Sequence, residues 1–466
     1  MNAQLKSDTD LISIPLLGGD GGRVFAWRDS TPVSAAQFLG EANALAATLD
    51  DRGHVLNLCE DRYRFLLGFA AALLRGLPTL LPPNRSAAML AGLIADFDGV
   101  QAIGDADSIC PKLLSQLPRD CRLLPLDAPS VNPQWPPPDI ATDTLAAIGF
   151  TSGSTGAPMP QHKYWGSFCA STVHNATALS RCLREAGYGE AAANVAATVP
   201  AQHMWGMETS VLMPLRTSAA VHSGRPFFPA DIAKVLSDLP EPRVLVTTPV
   251  HLKTLVESGQ ALPDVAVILS AAAPLSLQLA QEAESRLHTR VLEMFGSTET
   301  CVIASRRTAE NSDWQTYEGV RFDAVEDGTR INADWLPQPV LLPDHIQTDA
   351  RGRFRLLGRA TDHLEIAGKR ASLAGLTATV QTIDGVDDAV MFLLDAAPGA
   401  VQRLAALVVA PSLDEPAILA ALRQRIDPVF LPRPLRIIHA LPRNATGKLP
   451  RAALLAALED ARRSTD

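Results

Sequence analysis

The stretch Thr151-Ser152-Gly153-Ser154-Thr155-Gly156-Ala157-Pro158 sets hydroxyls and glycines at a density suited to wrapping a polyphosphate. Glycines let backbone amides approach phosphate oxygens closely, and Ser and Thr add hydroxyl donors beside them. The stretch lacks the G-x-x-x-x-G-K-[ST] pattern, since no Lys-Ser or Lys-Thr follows the glycines, so a P-loop kinase or GTPase is disfavoured. Taken alone, such a run also suits a surface linker. Three downstream segments argue for chemistry: Phe295-Gly296-Ser297-Thr298-Glu299, Gly358-Arg359 followed by Gly368-Lys369-Arg370, and Leu441-Pro442-Arg443-Asn444-Ala445-Thr446-Gly447-Lys448. A carboxylate beside phosphate oxygens is how magnesium is held with a nucleotide. An ammonium on a loop can stabilise charge that builds in a transition state. Taken singly, Gly296 to Glu299 also reads as a helix N-cap with a first-turn acid, Lys369 as an exposed strand residue and Lys448 as a surface lysine.

The elements that must position these loops alternate between strand and helix. Residues 34–49 and 62–74 repeat apolar positions at helical spacing around a strand at 54–58. The apolar run 145–150 is a buried strand that delivers Thr151 at its carboxyl end. Further short strands at 194–199, 243–247, 265–269 and 290–294 each end in a loop of small or polar residues, among them Ser270-Ala271-Ala272-Ala273-Pro274. The expected fold is α/β, a large N-terminal domain of layered sheets flanked by helices, in which ligands gather at the carboxyl ends of the strands. A strand at 349–357 precedes the expected boundary, giving domains 1–357 and 358–466. The second is a small mobile α+β domain with strands at 388–394 and 403–409 and helices at 415–426 and 451–462.

The chain of 466 residues is 47% hydrophobic and 20% charged, with a net charge of -9. That composition is globular, and the acidic balance disfavours broad binding to nucleic acid. Apolar runs such as 65–74 are too short to span a bilayer, and no secretory signal precedes them, so a cytoplasmic protein without a membrane span is expected. Six cysteines without a C-x-x-C pair indicate reduced thiols rather than a zinc or redox site. Leu16-Leu17-Gly18-Gly19-Asp20-Gly21 has the outline of a pantetheine attachment site, but Gly21 stands where a serine is needed, so no built-in carrier domain is expected.

In order and spacing these motifs resemble the AMP-binding superfamily of acyl-CoA synthetases, adenylation domains and luciferases, from about residue 30 to the C-terminus. The resemblance implies ATP and Mg²⁺ as cofactors and a two-step reaction. A carboxylate attacks the ATP α-phosphate to give an acyl adenylate and pyrophosphate, then a thiol takes the acyl group. It implies that Thr151, Ser152, Gly153, Ser154, Thr155 and Gly156 cover the β- and γ-phosphates, and that Phe295, Gly296, Ser297, Ala272 and Ala273 form the adenine site. Thr298 would hydrogen-bond the α-phosphate, Glu299 would ligate the metal and Lys448 would be the catalytic lysine. Asp344, with Asp349 as fallback, and Arg359 would contact ribose. Thr361 would be the hinge, and Gly368 and Arg370 belong to the loop of the thioester step. His203, in Pro200-Ala201-Gln202-His203-Met204-Trp205-Gly206, lines the route from acyl pocket to phosphates, and Trp205, Gly206, Met207 and Ala271 border that pocket.

The chain departs from the family pattern at Met159, where the family has a lysine. Lys163 is either its replacement at the phosphates or a solvated lysine at a helix start. Ala271 and Ala272 replace glycines and narrow the adenine groove. The compact length and the lysine-free loop resemble the lone-standing ligases of aryl polyene and xanthomonadin-type pigment pathways, which load hydroxybenzoate onto an acyl carrier protein. The expected partners are a small carboxylic acid and either a carrier protein or coenzyme A. A non-catalytic nucleotide-binding protein is the rival from another class, and retention of both Glu299 and Lys448 argues against it.

Overall fold

The computed structural model describes residues 13–105, 122–124, 132–152, 158–311, 313–359, 363–366, 369–394, 403–444 and 447–463. They fall into two compact units, one of residues 1–320 with 333–338 and one of residues 321–332 with 339–466. This division differs from the expected 357/358 boundary over residues 321–332 and 339–357. Strand pairing is the reason: Gly328–Asn332 bonds Val340–Leu342, and Thr329 Oγ1 accepts the Ile346 amide at 3.1 Å, so residues 321–332 associate with the strands of the second unit.

Among the described residues the larger unit contains two large sheets and a two-stranded pairing of Ser13–Pro15 with Asp139–Ala141. One large sheet runs in the order Pro158–Tyr164, Leu145–Ser152, Thr79–Leu81, His54–Asn57, Val100–Asp105, Arg122–Leu124. Its strands are parallel except Pro158–Tyr164, which folds back antiparallel on Leu145–Ser152. In the other sheet Arg290–Ser297, Val267–Ser270, Arg243–Thr247, Asn194–Ala197, Ala220–His222 and Val24–Arg28 lie side by side in parallel. Parallel neighbours require crossover connections, whose helices cover the sheet faces. Val267–Ser270 and Asn194–Ala197 are accordingly buried at every position.

Local chemistry starts the crossover helices where the sequence places them. Arg62–Leu74 is capped by the Asp61 side chain, Ala35–Ala46 by Ser34, Pro249–Ser258 by Thr248 and Leu277–Leu287 by Ser276. Leu236, Leu252, Leu255, Ala280 and Ala283 then pack on Leu245, Ile268 and Val291 of the sheet in one buried cluster. The chain is thus carried repeatedly to the same edge, where the strand ends converge.

The smaller unit is α+β. Its main sheet pairs Asp388–Leu393 antiparallel with Leu404–Val409, which in turn runs parallel to Leu435–Ile437. Side-chain alternation splits the core: Leu404, Ala406 and Val408 pack with Leu376, Val380, Ile418 and Leu422, whereas Ala405 and Leu407 pack with Leu454 and Leu458. The strand expected at 349–357 begins only at Arg353. Asp349 accepts the amides of Arg351 at 2.8 Å and Arg353 at 2.9 Å, and this turns the chain between Asp344–Thr348 and Arg353–Arg359. Among the described residues no helix is long and apolar enough to cross a membrane. Cys59, Cys169, Cys182 and Cys301 are free and buried.

Candidate functional site

Three site segments of the larger unit meet around one small residue, Gly149, inside the strand that leads to Thr151. A Cβ there would lie 3.1 Å from Thr298 Cγ2 and 3.6 Å from Met204 Cε. Only glycine lets the strand before the phosphate loop, the Thr298 turn and the His203 segment approach so closely. The sequence signal was a lone glycine in an apolar strand. Thr151 Oγ1 accepts from Gln161 Nε2 at 3.4 Å, and Ser152 pairs with Pro158 across the hairpin. Gly153, Ser154, Thr155 and Gly156 lie outside the described residues.

Phe295, Gly296 and Ser297 end their strand, and the chain returns antiparallel as Cys301–Arg306, with Ser297 opposite Cys301. The helix N-cap reading of this segment is therefore corrected to a hairpin turn. A Cβ on Gly296 would lie 2.1 Å from the Cys301 carbonyl, so the bulged hairpin requires glycine. Thr300 Oγ1 accepts the Ser297 amide at 3.0 Å, the Thr300 amide donates to Ser297 Oγ at 3.2 Å, and Trp335 Nε1 donates to the Thr300 carbonyl at 3.0 Å. Thr298 and Glu299 form the half-buried tip. Among the described residues no hydrogen bond or ion pair engages the Glu299 carboxylate, which leaves its oxygens for a cation.

Beneath the tip lies charge that the sequence did not reveal. Lys163 is only 5% exposed and lies in the Pro158–Tyr164 strand, so it is not a solvated helix-start lysine. Its Nζ donates to the Glu299 carbonyl at 2.8 Å and lies 3.9 Å from Cys301 Sγ. Met159, at the family's lysine position, is 53% exposed. Glu208 is buried in a single π-helical turn, Glu208–Leu212, between the helical segments Met204–Met207 and Met213–Arg216. Its Oε2 accepts from Ser171 Oγ at 2.9 Å, Asn175 Nδ2 at 3.1 Å and the Val302 amide at 3.0 Å. Burial raises the Glu208 pKa, against the lowering effects of those three donors and of Lys163.

His203 is half-buried and caps the Met204–Met207 helix, with its amide donating to the Pro200 carbonyl at 3.3 Å. Gly206 explains the spacing of its motif, because a Cβ there would lie 2.0 Å from that same carbonyl. Trp205 is buried, with Nε1 donating 3.0 Å to the Thr247 carbonyl at a neighbouring strand end. Met207 is fully buried. Ala271 is buried, while Ala272 adopts φ +74, a left-handed conformation that glycine adopts more readily. Ala273 is half-buried, and the loop closes where the Leu275 amide donates to Glu293 Oε1 at 3.0 Å. Glu293 Oε2 accepts from Arg306 Nε at 2.8 Å, and the Arg306 guanidinium lies 4.2 Å from the centroid of Trp314. Trp314 packs against Phe295 at 5.3 Å, so one chain of contacts links the two candidate adenine-site segments.

In the smaller unit Asp344 stands opposite Arg359 in hairpin register, which brings the two ribose candidates together. Asp349 is instead engaged by Arg353 at 2.8 Å and by the turn amides, and these hydrogen bonds lower its pKa. Lys448 is exposed on a loop closed by its own backbone. Asn444 Oδ1 accepts the Lys448 amide at 2.9 Å, the Asn444 amide donates to the Lys448 carbonyl at 2.9 Å, and Gly447 takes φ +78. Arg443 clamps the loop, donating to the Gly447 carbonyl at 2.9 Å and to both oxygens of Asp388 at 3.0 and 2.9 Å. Arg370 lies in the strand Lys369–Ser372, opposite Glu365. Thr361 and Gly368 lie outside the described residues.

Asp29, His222 and Asp238 also bring ligand atoms within 4.8 Å of one another. Because His222 Nδ1 accepts the Gly224 amide at 2.9 Å, Nε2 of the neutral ring carries the proton and offers no lone pair to a cation.

Residues 20–326 match the AMP-binding enzyme family, and the chain belongs to that family. The class is that of AMP-forming acid–thiol ligases, whose activity is ATP-dependent adenylation of a carboxylic acid. A 4-coumarate–CoA ligase from Halorhodospira halophila is 27% identical over 319 residues, which is 67% of this chain and 76% of that protein. The fold matches ATP-bound MatB from Rhodopseudomonas palustris with a TM-score of 0.78 at 18% identity, covering 95% of this chain and 97% of that one. It also matches the o-succinylbenzoate coenzyme A synthetase MenE from Bacillus subtilis in complex with ATP and magnesium ion, with a TM-score of 0.76 at 16% identity, covering 92% of this chain and 96% of that one.

Proposed function

We propose that the protein is a cytoplasmic ligase that adenylates a small aryl acid of the hydroxybenzoate kind and passes the acyl group to the thiol of a separate acyl carrier protein. The observation that carries the reading is the meeting of the phosphate-loop strand, the Thr298–Glu299 turn and the His203 segment at Gly149. Phe295 presents a flat ring to the adenine, Asp344 and Arg359 serve the ribose, and residues 151–156 cover the outer phosphates. The Thr298 hydroxyl donates to the α-phosphate. Glu299 would hold Mg²⁺, a fit supported by its half-buried carboxylate at the turn tip, which no hydrogen bond or ion pair engages among the described residues. The metal, when bound, supplies charge neutralisation on the phosphates.

The acid enters past His203 into the pocket bordered by Trp205, Gly206, Met207 and Ala271, whose bulk suits a compact flat group. Its carboxylate oxygen attacks the α-phosphorus, the bond to pyrophosphate breaks, and the Lys448 ammonium stabilises the charge shared between them. In the second step a thiolate attacks the acyl carbon and AMP leaves. Residues 358–466 act as the mobile part for this step, with Thr361 as pivot and Gly368 and Arg370 in the loop it brings in. Pyrophosphate release measured over a panel of aryl and aliphatic acids tests the reading. Release with small aryl acids is expected, and nucleotide binding without release from any acid would leave only a binding protein.

Carrier-protein transfer is supported by the arginines at 423, 425, 433, 436, 443, 451, 462 and 463, since carrier proteins are commonly acidic and steered by such charge. Free coenzyme A is the second reading, favoured by the relatives named as CoA ligases. Transfer to a holo carrier protein should fall steeply with added salt and outpace transfer to CoA at equal concentration. A preference for CoA that is insensitive to Arg-to-Glu changes at the exposed positions 423, 425, 433, 451, 462 and 463 would decide for the second reading.

A further inference from the structure

A lysine that is 95% removed from solvent must find acceptors inside the protein, because a buried ammonium without partners is costly. The acceptor Lys163 finds is the carbonyl of Glu299, at 2.8 Å. On the other flank of the same turn, the buried Glu208 carboxyl accepts the Val302 amide at 3.0 Å. Between these two grips Cys301 is held at φ +59, a left-handed conformation that non-glycine residues adopt only when their surroundings impose it. Ser171 and Asn175, both fully buried on the Trp165–Glu185 helix, bond the same Glu208 oxygen and fix its direction. The turn is thus held from below at its tip carbonyl by a donor and just beyond it by an acceptor.

We propose that Lys163 is a positioning residue for the metal site: with Glu208 it sets the Glu299 turn so that the Glu299 carboxylate is presented to Mg²⁺, and it does not itself touch phosphate. The proposal deepens the adenylation reading and rests on it. It also accounts for the cation that the chain keeps near this site although Met159 stands at the usual lysine position. The Lys163 ammonium acts through a backbone carbonyl, so its loss should weaken the metal site and spare the adenine and ribose contacts.

The test is thermal stabilisation of the full chain by ATP titrated with Mg²⁺, beside stabilisation by AMP without metal. In Lys163→Met, which keeps the length of the side chain and removes its charge and donors, the Mg²⁺ concentration giving half the stabilisation should rise about tenfold, with AMP affinity changed less than about twofold. Glu208→Gln, which keeps an acceptor for Val302, should shift the Mg²⁺ midpoint by less than about threefold. Lys163→Gln keeps a donor and serves the same assay with the same sign if the Met variant does not fold. An unchanged Mg²⁺ midpoint in the Lys163 variants overturns the proposal. So does a loss of ATP affinity already present without Mg²⁺, which would mark Lys163 as a phosphate contact. Wild-type protein that gains nothing from Mg²⁺ with ATP would instead remove the adenylation reading itself.

Discussion

The Ser297–Cys301 turn rests on desolvated groups: Lys163 at 5% exposure below the Glu299 carbonyl, and Glu208 at 2% holding the Val302 amide. The Asn444–Lys448 loop is closed by its own backbone and tied at the surface, where Arg443 and Asp388 are 25% and 28% exposed. Removing one member of a buried charged network strands its partners and costs several kcal/mol, whereas an exposed pair contributes little. The turn proposed to present the Glu299 carboxylate to a metal thus draws on the interior. The loop proposed to present the Lys448 ammonium is closed by local hydrogen bonds and leaves Lys448 in solvent.

The comparison is sharpened first by one ionisable residue from each region, Lys448 and Glu208, which should fail differently. Lys448→Ala should slow adenylation by roughly a hundredfold or more, about 3 kcal/mol, while leaving the melting temperature and thioester formation from supplied acyl adenylate unchanged. Acid-dependent pyrophosphate exchange checks the first part, and adenylation at the wild-type rate would remove Lys448 from catalysis. Glu208→Ala should do the opposite kind of damage. It strands the donors of Ser171, Asn175 and Val302 and should cost about 3 kcal/mol of stability in denaturant titration.

Arg443→Ala should cost only about 1 kcal/mol of stability, because its partner is exposed enough for water to replace it. Its effect on adenylation should nevertheless be severalfold, since the Gly447 carbonyl loses its clamp. A stability loss equal to that of Glu208→Ala would erase the distinction between the two anchors.

Much of this contrast could not be read from the sequence. The Arg62–Leu74 helix and the Arg243–Thr247 strand stand where periodicity put them, because buried elements have a strong apolar pattern. Residues 158–164, Pro-Met-Pro-Gln-His-Lys-Tyr, carry no such pattern and become a strand only by pairing with Leu145–Ser152, so the burial of Lys163 was invisible. Glu208 was hidden in the apolar run of its helix. Asp349 illustrates the converse: an acid with a plausible ligand role turned out to be used by its own turn. Residue type and motif mark the loops bearing Thr298, Glu299 and Lys448 as candidates in the sequence, whereas the groups that hold them carry no such mark.

The smallest expected effect concerns pH. Burial raises the Glu208 pKa in the folded protein, so over the window from the ordinary carboxylate range up to that raised value the native state keeps a proton that the unfolded chain has lost. Stability should fall as pH rises through that window. Melting temperatures of wild type and Glu208→Gln measured across the acidic range should show this slope in the wild type and not in the variant. Parallel curves would mean that the hydrogen bonds and Lys163 offset the burial completely.

The most direct test of the whole account is Glu299→Gln, because the anchored turn is argued to exist for that carboxylate. Pyrophosphate exchange titrated with Mg²⁺ and AMP binding without metal should be measured on the same preparation. Adenylation should fall by about tenfold or more, with partial recovery at high Mg²⁺, while AMP affinity stays at the wild-type value. Equal losses in both assays would contradict the account and make Glu299 a structural part of its turn.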